Sequence, residues 1–478
     1  CFFNERIQCM QKLKALFAPR DMTEGTPWKN ILMFAVPLLL GNLIQQLYNA
    51  VDTAIVGRYV GDDAVAAVTS CMPVINLLLA LMVGIGMGTS IRASQYYGAR
   101  DKENLSLVIG NCLTLTLLSS IIIMAVGIPL VPVLLNLLNT PAEIMEWTGQ
   151  YLNIYLAGVS GAMFYNMLSG ILRGLGDSLS ALGFLIIAAL LNVVLDLWFV
   201  IQFDMAVAGV ALATILSQGV SAVLCFIKLK SMSTLFDINR KTLRLNKKTS
   251  LDMIKLGLPT GFTQAAFSLA MLLIQRLENS FGPMFIATTG IVKRVDGFTM
   301  LPSFSFGSAM TTFIGQNVGA RKYDRLHKGA VQGAKLAFFT SIVLTCAILL
   351  FGRSMLGIFT NTQEVIDLGM NIMYILVPGY LAMGLTQTMS GVMRGAGDTV
   401  TPMGISLFSA ILVRTTLAYV LVELSKTPEN PIGNPLMVYV SMVISWVTGA
   451  LVNVYFYRRG NWRRLLPTKD EACHEAFE

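Results

Sequence analysis

Three carboxylates interrupt long apolar stretches of this sequence: Asp52, Asp196 and Asp296. An ionisable side chain at membrane depth costs about 3 kcal/mol or more unless it is paired or neutralised. Such residues mark ion or proton pathways, or polar contacts between helices. Glu278 stands near the end of another apolar stretch, and the sequence leaves its role ambiguous.

Two of these acids are expected to share one depth with a hydroxyl and an amide. Counted from the outer ends of their predicted helices at about 1.5 Å per residue, Asp52, Asp196 and Thr214 lie about 8–12 Å below the surface. Asn192 precedes Asp196 by four residues and shares its helix face. These side chains predict an oxygen cage for Na⁺, or for a proton shared by two carboxyl groups whose charges repel. The alternative is a set of structural hydrogen-bond anchors between helices.

Three further residues of the first apolar stretch are expected to act beside this cage. Gln45 and Tyr48 precede Asp52 by one or two turns and either line a cavity or simply pack. Pro37 lacks a backbone donor, so it predicts a bend in the helix that would couple protonation to the shape of the cavity.

A long passage of the chain occurs twice, 221 positions apart. Residues 169–183 read SGILRGLGDSLSALG, and residues 390–404 read SGVMRGAGDTVTPMG. The GAR turn at 98–100 recurs at 319–321, and Pro37 recurs as Pro259 with one residue of slippage. A duplicated design in an apolar chain is typical of transporters. The charged residues of the long repeat predict structural latches of a gate, with direct substrate contact as the alternative: Arg173, Asp177, Arg394 and Asp398.

The second copy lacks the acids of the first. Alignment places Leu273 or Ile274 opposite Asp52, and Leu417 opposite Asp196. Cation binding is therefore expected in the first half only.

Charged residues of both signs instead lie near mid-membrane in the second half. Lys293, Arg294 and Asp296 share one predicted helix, and Arg414 lies on another. They form either an internally neutralised network or a cationic, cavity-lining wall for an anionic or zwitterionic substrate. A net positive wall would repel cationic substrates.

Composition places the chain in a bilayer. Of its 478 residues, 54% are hydrophobic and only 13% are charged, whereas soluble domains carry about 25% charge. Two histidines and seven cysteines without a CxxC pair argue against a His-built metal site and for buried, inert thiols. A phosphate-binding GxxxxGK[ST] loop is missing from the sequence, so neither a cofactor nor an ATP-driven pump is expected.

Apolar runs predict an all-α membrane protein with twelve spanning helices in two six-helix bundles. The predicted spans are 28–57, 63–91, 105–130, 144–168, 180–202, 206–229, 251–280, 285–313, 329–352, 365–389, 401–422 and 435–457. They define a cytoplasmic segment 1–27, a first lobe 28–229, a basic linker 230–250, a second lobe 251–457 and a cytoplasmic tail 458–478. Met22 resembles a natural start, which would make residues 1–21 an extension. Six spans per lobe make the repeats parallel, about an axis along the membrane normal.

Lysine and arginine fix the expected orientation. Most of the 35 lie in or beside the even-numbered loops and the tails, whereas Arg58, Arg353 and Lys426 fall on the other side. Both termini are therefore expected in the cytoplasm, in a bacterial cytoplasmic membrane. This distribution explains the net charge of +8 without nucleic acid as a partner; membrane lipid and a small organic substrate are the expected partners, and the protein is expected to be a monomer.

The stretch PLLLGNLIQQLYNAVDTAIVGRYVG at 37–61, the GAR turns and the paired RGxGD loops resemble the multidrug and toxic compound extrusion (MATE) family. The resemblance runs from about Met22 to about Arg464. It implies a twelve-helix antiporter, not an enzyme, which exports organic solutes in exchange for Na⁺ or H⁺. NVVLD at 192–196 is similar to the DinF-like branch, whose cation site in the first lobe matches at four positions: Asp52, Asn192, Asp196 and Thr214. The loss of acids in the second lobe departs from other branches.

Two other functions compete with a cation-coupled exporter. A flippase of lipid-linked oligosaccharides shares the twelve-helix architecture, but it would call for basic cavities in both lobes, and the first lobe here is acidic. A major-facilitator carrier also has parallel six-span halves, but the RGxGD pair has no place in it. The sequence does not distinguish Na⁺ from H⁺ and does not name the substrate.

Overall fold

The computed structural model describes residues 19–137 and 140–466. The predicted segment before residue 19 and the tail after residue 466 lie outside the described residues. Regular structure in the described part is helical, apart from one antiparallel bridge between Thr427 and Asn430.

Within the described residues, twelve helical segments follow one another, and some of them are bent or contain a π-helical turn. The first six are α1 (Pro27–Tyr59), α2 (Asp62–Gly98), α3 (Lys102–Leu137), α4 (Ala142–Ala157 and Val159–Gly174), α5 (Ser178–Leu197, continued by a π-helical turn Trp198–Gln202) and α6 (Ala206–Lys230). The next six are α7 (Lys247–Asn279), α8 (Pro283–Gly319), α9 (Tyr323–Gly357), α10 (Gln363–Ala396), α11 (Val400–Leu407, π-helical Phe408–Val413 and Arg414–Leu424) and α12 (Met437–Arg459).

These helices confirm the predicted all-α fold class. Within the described residues, nine helices are long and apolar enough to span a membrane, and the two segments of α4, bent by 52°, make a tenth. The remaining two helices, α2 and α8, have 37 residues each but are not among these candidates, so twelve spans stays a prediction. Several helices extend beyond the predicted spans, for example α2 to Gly98, because hydropathy falls at the first charged residue whereas backbone hydrogen bonding continues past it.

The sequence repeat reappears in the backbone. Arg100 and Arg321 both adopt φ 56°, a left-handed conformation that is uncommon for a residue with a side chain. Each arginine lies just after the end of a helix. The N–H of the residue that follows it donates to a carbonyl in the last turn of that helix, from Asp101 to Tyr96 and from Lys322 to Asn317. The two GAR segments therefore form the same helix-terminating turn.

Two compact units divide the described chain. The first comprises Leu40–Gly261 with the few residues before Met22, and the second comprises Met22–Leu39 with the chain from Phe262 onward. Both α1 and α7 are split, in each case two residues after a proline, Pro37 or Pro259. The units therefore differ from the predicted lobes: the first half of α1 belongs to the second unit, and the first half of α7 belongs to the first unit. The lobe and linker boundaries are statements about membrane topology and stay a prediction.

Backbone-to-backbone packing explains why the first half of α7 belongs to the first unit. A Cβ added to Gly257 would lie 2.5 Å from the Gly84 carbonyl oxygen, and one added to Gly84 would lie 2.7 Å from that of Gly257. Small residues allow such close approach between membrane helices. Further along the same contact, Arg92 on α2 forms an ion pair with Asp252 on α7 at 3.7 Å.

Hydrogen bonds hold the start of α1 in the second unit. The Met22 N–H donates to the Gln316 side chain at 2.8 Å, and Arg325 donates to the Gly25 carbonyl at 2.9 Å. Met22 and Phe34 also pack in a buried cluster with residues of α8, α10 and α12.

Candidate functional site

The first unit buries the predicted cation-site residues. The C-terminal half of α1 carries Asp52, α5 carries Asn192 and Asp196, and α6 carries Thr214. Asp52 is 6% exposed, while Asn192 and Asp196 are fully buried. The carboxyl groups of Asp52 and Asp196 are neighbours and interact electrostatically. The structure thus joins two acids that are 144 positions apart in the sequence.

The polar atoms of the two acids and of Asn192 are buried and receive few hydrogen bonds. Both carboxylate oxygens of Asp196, both amide atoms of Asn192 and Oδ1 of Asp52 have no hydrogen-bond partner among the described residues. Buried polar atoms are stable only when they are satisfied. Two adjacent carboxylates become satisfied by sharing a proton, or by binding a hard cation that takes oxygen ligands.

Thr214 supplies a hydroxyl on the third helix of the group. Its hydroxyl donates to the Val210 carbonyl at 3.0 Å, so the oxygen keeps lone pairs for accepting. Within residues 19–137 and 140–466, no cluster of three or more His, Cys, Asp or Glu side chains could hold a metal ion. A cation here would therefore depend on amide and hydroxyl oxygens in addition to the two acids.

Aromatic residues adjoin the two carboxyl groups. Tyr48, one turn before Asp52 on α1, is buried beside Asp52 and Thr214. Tyr151 and Tyr155 of α4 stack with ring centroids 6.3 Å apart, and Tyr151 faces Asp52. Sequence analysis missed the α4 pair; its only sign was the spacing of four residues that puts both rings on one helix face. Gln45 is half-buried on α1.

A π-helical turn follows this site directly. Trp198–Gln202 continues α5 two residues after Asp196. π-helical turns occur often at functional sites, because the extra residue re-aims neighbouring side chains and loosens the helical ladder.

The second unit contains a separate buried charge cluster. The Lys293 ammonium on α8 donates to the Gln275 side chain at 2.9 Å and forms an ion pair with Glu278, both on α7. The Glu278 side chain is 1% exposed and that of Lys293 is 34% exposed. Glu278, ambiguous from sequence, is thus a central member. Its burial depends on helices other than its own.

Two more charges complete this cluster. The buried Arg414 guanidinium of α11 lies near both Glu278 and Asp296. Asp296 also faces the Tyr380 hydroxyl of α10. Two acids balance two cations, which favours the internally neutralised network over a cationic wall. Arg294 lies apart from the cluster: it is exposed, and its guanidinium stands over the Phe359 ring at 5.7 Å.

The repeated turns hold their acidic residues as helix caps. Asp177 precedes α5 and accepts from the Ser180 N–H at 2.9 Å and the Ser180 hydroxyl at 2.7 Å, with the Lys228 ammonium at 3.6 Å. Burial raises the pKa of Asp177, against the opposing effect of these contacts. Asp398, two residues before α11, accepts from the Thr401 N–H at 3.0 Å, the same three-residue spacing as Asp177 and Ser180. The latching role of both turns stays a prediction.

Two other predicted gate residues, Arg173 and Arg394, lie in the last turns of α4 and α10. Arg173 donates to the Ser169 hydroxyl at 3.3 Å, and Arg394 is partly buried near the end of α10. Pro37 lies inside α1, which runs unbroken from Pro27 to Tyr59. The predicted coupling of a bend at Pro37 to protonation is untested.

Comparisons with known proteins agree with the repeat and the fold. The MatE family model matches the chain twice, at residues 37–198 and 259–420. "Probable multidrug resistance protein YoeA" of Bacillus subtilis is 30% identical over 84% of this chain and 88% of its own length. "Probable multidrug resistance protein NorM" of Thermotoga maritima is 24% identical over 91% of this chain and 93% of its own length.

Solved structures show the same architecture. A MOP superfamily transporter from Pyrococcus furiosus superposes with a TM-score of 0.85 at 26% identity, covering 94% of this chain and 98% of that chain. A MATE structure in the straight conformation gives the same TM-score and identity, covering 94% and 99%. Members of this family are transporters, so the expectation that the chain is not an enzyme is confirmed. The chain is a multi-pass membrane transporter that belongs to the MatE family.

Proposed function

We propose that this protein exports organic solutes in exchange for Na⁺ or H⁺, which binds between Asp52 and Asp196. The single observation that carries the proposal is the pairing of these two buried carboxyl groups beside Asn192 and Thr214. Relatives named as multidrug resistance proteins, among them YoeA and NorM, support a broad range of organic substrates.

The physical basis of coupling is charge. Two bare carboxylates in a low-dielectric interior repel each other and remain poorly solvated, so the unloaded site is strained. A bound cation or proton relieves this repulsion and favours a different packing of α1, α5 and α6. An ion that binds one conformation better than another shifts the population between them. Alternation of the two lobes is the motion that would turn this shift into export.

Dye efflux from proteoliposomes, driven separately by a Na⁺ gradient and by a pH gradient, tests the proposal. We expect one gradient to drive efflux, and Asp52→Asn and Asp196→Asn each to reduce it at least about tenfold, since a paired buried charge is worth more than 1.4 kcal/mol. Asp63→Asn, at an exposed carboxylate in the first turn of α2, is the matched control and should transport normally.

Efflux that neither gradient drives, with both site variants equal to native protein, would reject a coupling role for the two acids. A flippase of lipid-linked oligosaccharides would then be the better proposal. The acidic site of the first unit argues against it, because such a substrate carries phosphate groups that two carboxylates repel.

The remaining expectations are proposals of the same kind. The chain lies in a bacterial cytoplasmic membrane with both termini in the cytoplasm, acts as a monomer and belongs to the DinF-like branch. Protease accessibility of the tail in right-side-out and inverted vesicles would test the orientation.

A further inference from the structure

The Lys293 ammonium occupies a set of acceptors that suits any primary ammonium group. Its Nζ donates to the Gln275 side-chain oxygen at 2.9 Å and to Oε2 of Glu278. The Tyr439 side chain of α12 lies near the same carboxylate. An ammonium group has three donors, so two protein bonds leave one free. Both acceptors come from α7, whereas the cation comes from α8.

The two side chains of this ion pair differ in their exposure. The Glu278 side chain is 1% exposed, while 34% of the Lys293 side chain is exposed. The acid is therefore the enclosed part of the pair, and the lysine is the more exposed part. A lysine ammonium sits on a flexible four-carbon stem and can swing away, unlike the rigid guanidinium fork of arginine.

Charge balance shows what the cluster would bind if the lysine left. Glu278 and Asp296 carry two negative charges, and Lys293 and Arg414 carry two positive ones. Without Lys293, one positive charge faces two negative charges. Oδ1 of Asp296 and Nε of Arg414 have no hydrogen-bond partner among the described residues, so Arg414 does not fully satisfy the two acids. The cluster then needs one more cation.

We propose that Glu278 and Gln275 form a recognition site for the primary ammonium group of an exported amine, and that Lys293 is a tethered occupant which the amine displaces. The proposal rests on the proposed export function and assigns a substrate class to it. It places amine recognition in the second unit, separate from the coupling site at Asp52 and Asp196. A quaternary ammonium cannot donate hydrogen bonds, so this site selects against it.

Equilibrium binding to purified protein tests the inference without any gradient. The probes are biphenyl-4-ylmethylamine, a hydrophobic primary amine, and its N,N,N-trimethyl analogue. We expect Lys293→Met to bind the primary amine about tenfold more tightly, because a site that its tethered occupant leaves open one-tenth of the time binds about tenfold more weakly. Binding of the trimethyl analogue should not change.

The double variant Glu278→Gln/Lys293→Met removes both charges together and keeps the cluster neutral, so it is less prone to misfold than Glu278→Gln alone. It should lose the gain in primary-amine affinity. Lys426→Met, at an exposed lysine paired with Glu423, is the control and should bind like native protein.

An unchanged or weaker affinity in Lys293→Met, an equal gain for both probes, or a gain that survives in the double variant would each overturn the inference. The ion pair would then be a structural contact. A negative result in this binding experiment does not affect the gradient-driven efflux experiment, because Asp52 and Asp196 are native in every variant. Loss of gradient-driven efflux in turn says nothing about amine binding.

Discussion

Replacing Gly257 with alanine should destabilise the first unit by a steric mechanism. The added Cβ would lie 2.5 Å from the Gly84 carbonyl oxygen and 2.6 Å from the Ile85 Cα, both backbone atoms of α2. Ordinary carbon contacts are about 3.5–4.0 Å. The two helices must therefore move apart by about 1 Å over the contact, because backbone atoms cannot rotate away as a side chain does.

The magnitude follows from two opposing contributions. Overpacking a tight contact costs about 1–3 kcal/mol. Alanine in place of glycine in a helix interior contributes about 1 kcal/mol of stability. Because the nearest atoms are all backbone atoms of α2, the steric cost is at the upper end, and we expect a net loss of about 1–2 kcal/mol.

Gly219 of α6 provides a control with the opposite sign. It lies inside a helix of the same unit, and a Cβ added to it would meet nothing within 4 Å. Gly219→Ala should therefore leave stability unchanged or raise it by up to about 1 kcal/mol. The two variants make the same chemical change, and only the surroundings of the new methyl group differ.

Thermal unfolding of both purified variants in one detergent, followed by intrinsic fluorescence, is the assay. Gly257→Ala should unfold at a lower temperature than native protein and Gly219→Ala at the same or a higher temperature. Equal behaviour of the two variants, or a Gly257→Ala protein as stable as native, would refute the backbone contact between α2 and α7 and with it the assignment of the first half of α7 to the first unit.

Two further predictions concern the polar contacts of the first unit. Asp177→Ala removes the cap of α5 and its bonds to Ser180, so it should lower stability by about 1–2 kcal/mol, measured by thermal unfolding; a shift no larger than that of a surface substitution would contradict the capping role. Asn111→Ala removes the acceptor for the Asn246 N–H at 2.7 Å and the Ser250 hydroxyl at 2.9 Å. It should speed limited proteolysis of the loop between α6 and α7, and an unchanged cleavage rate would show that this asparagine does not hold the loop.

Local sequence patterns were enough to predict the helices and the buried acids. Each helix needs only an apolar run of sufficient length, and Asp52 and Asp196 stand out because their neighbours along the chain are apolar. The offset of 221 positions likewise predicted paired turns, which appear with matching backbone conformations at Arg100 and Arg321.

Features that depend on neighbouring helices were not predictable in this way. Glu278 lies near the end of α7 and looks like a surface acid until Lys293 and Arg414 from two other helices enclose it. Arg294 is adjacent to Lys293 but points elsewhere, because successive helical residues lie about 100° apart. The split of α7 after Gly261 depends on a glycine contact with α2 that no single stretch of sequence contains.

The split of α1 and α7 also sets an order for synthesis. The first unit needs nothing made after Gly261, so its contacts can form while the second half is still being translated. The second unit needs Met22–Leu39, which is made before the rest of that unit and before the whole of α2 to α6. This early segment has its partners on α8, α10 and α12, and must remain without them until they emerge. The start of α1 is thus made well before its partners, and the second unit cannot be completed until those later helices have been made.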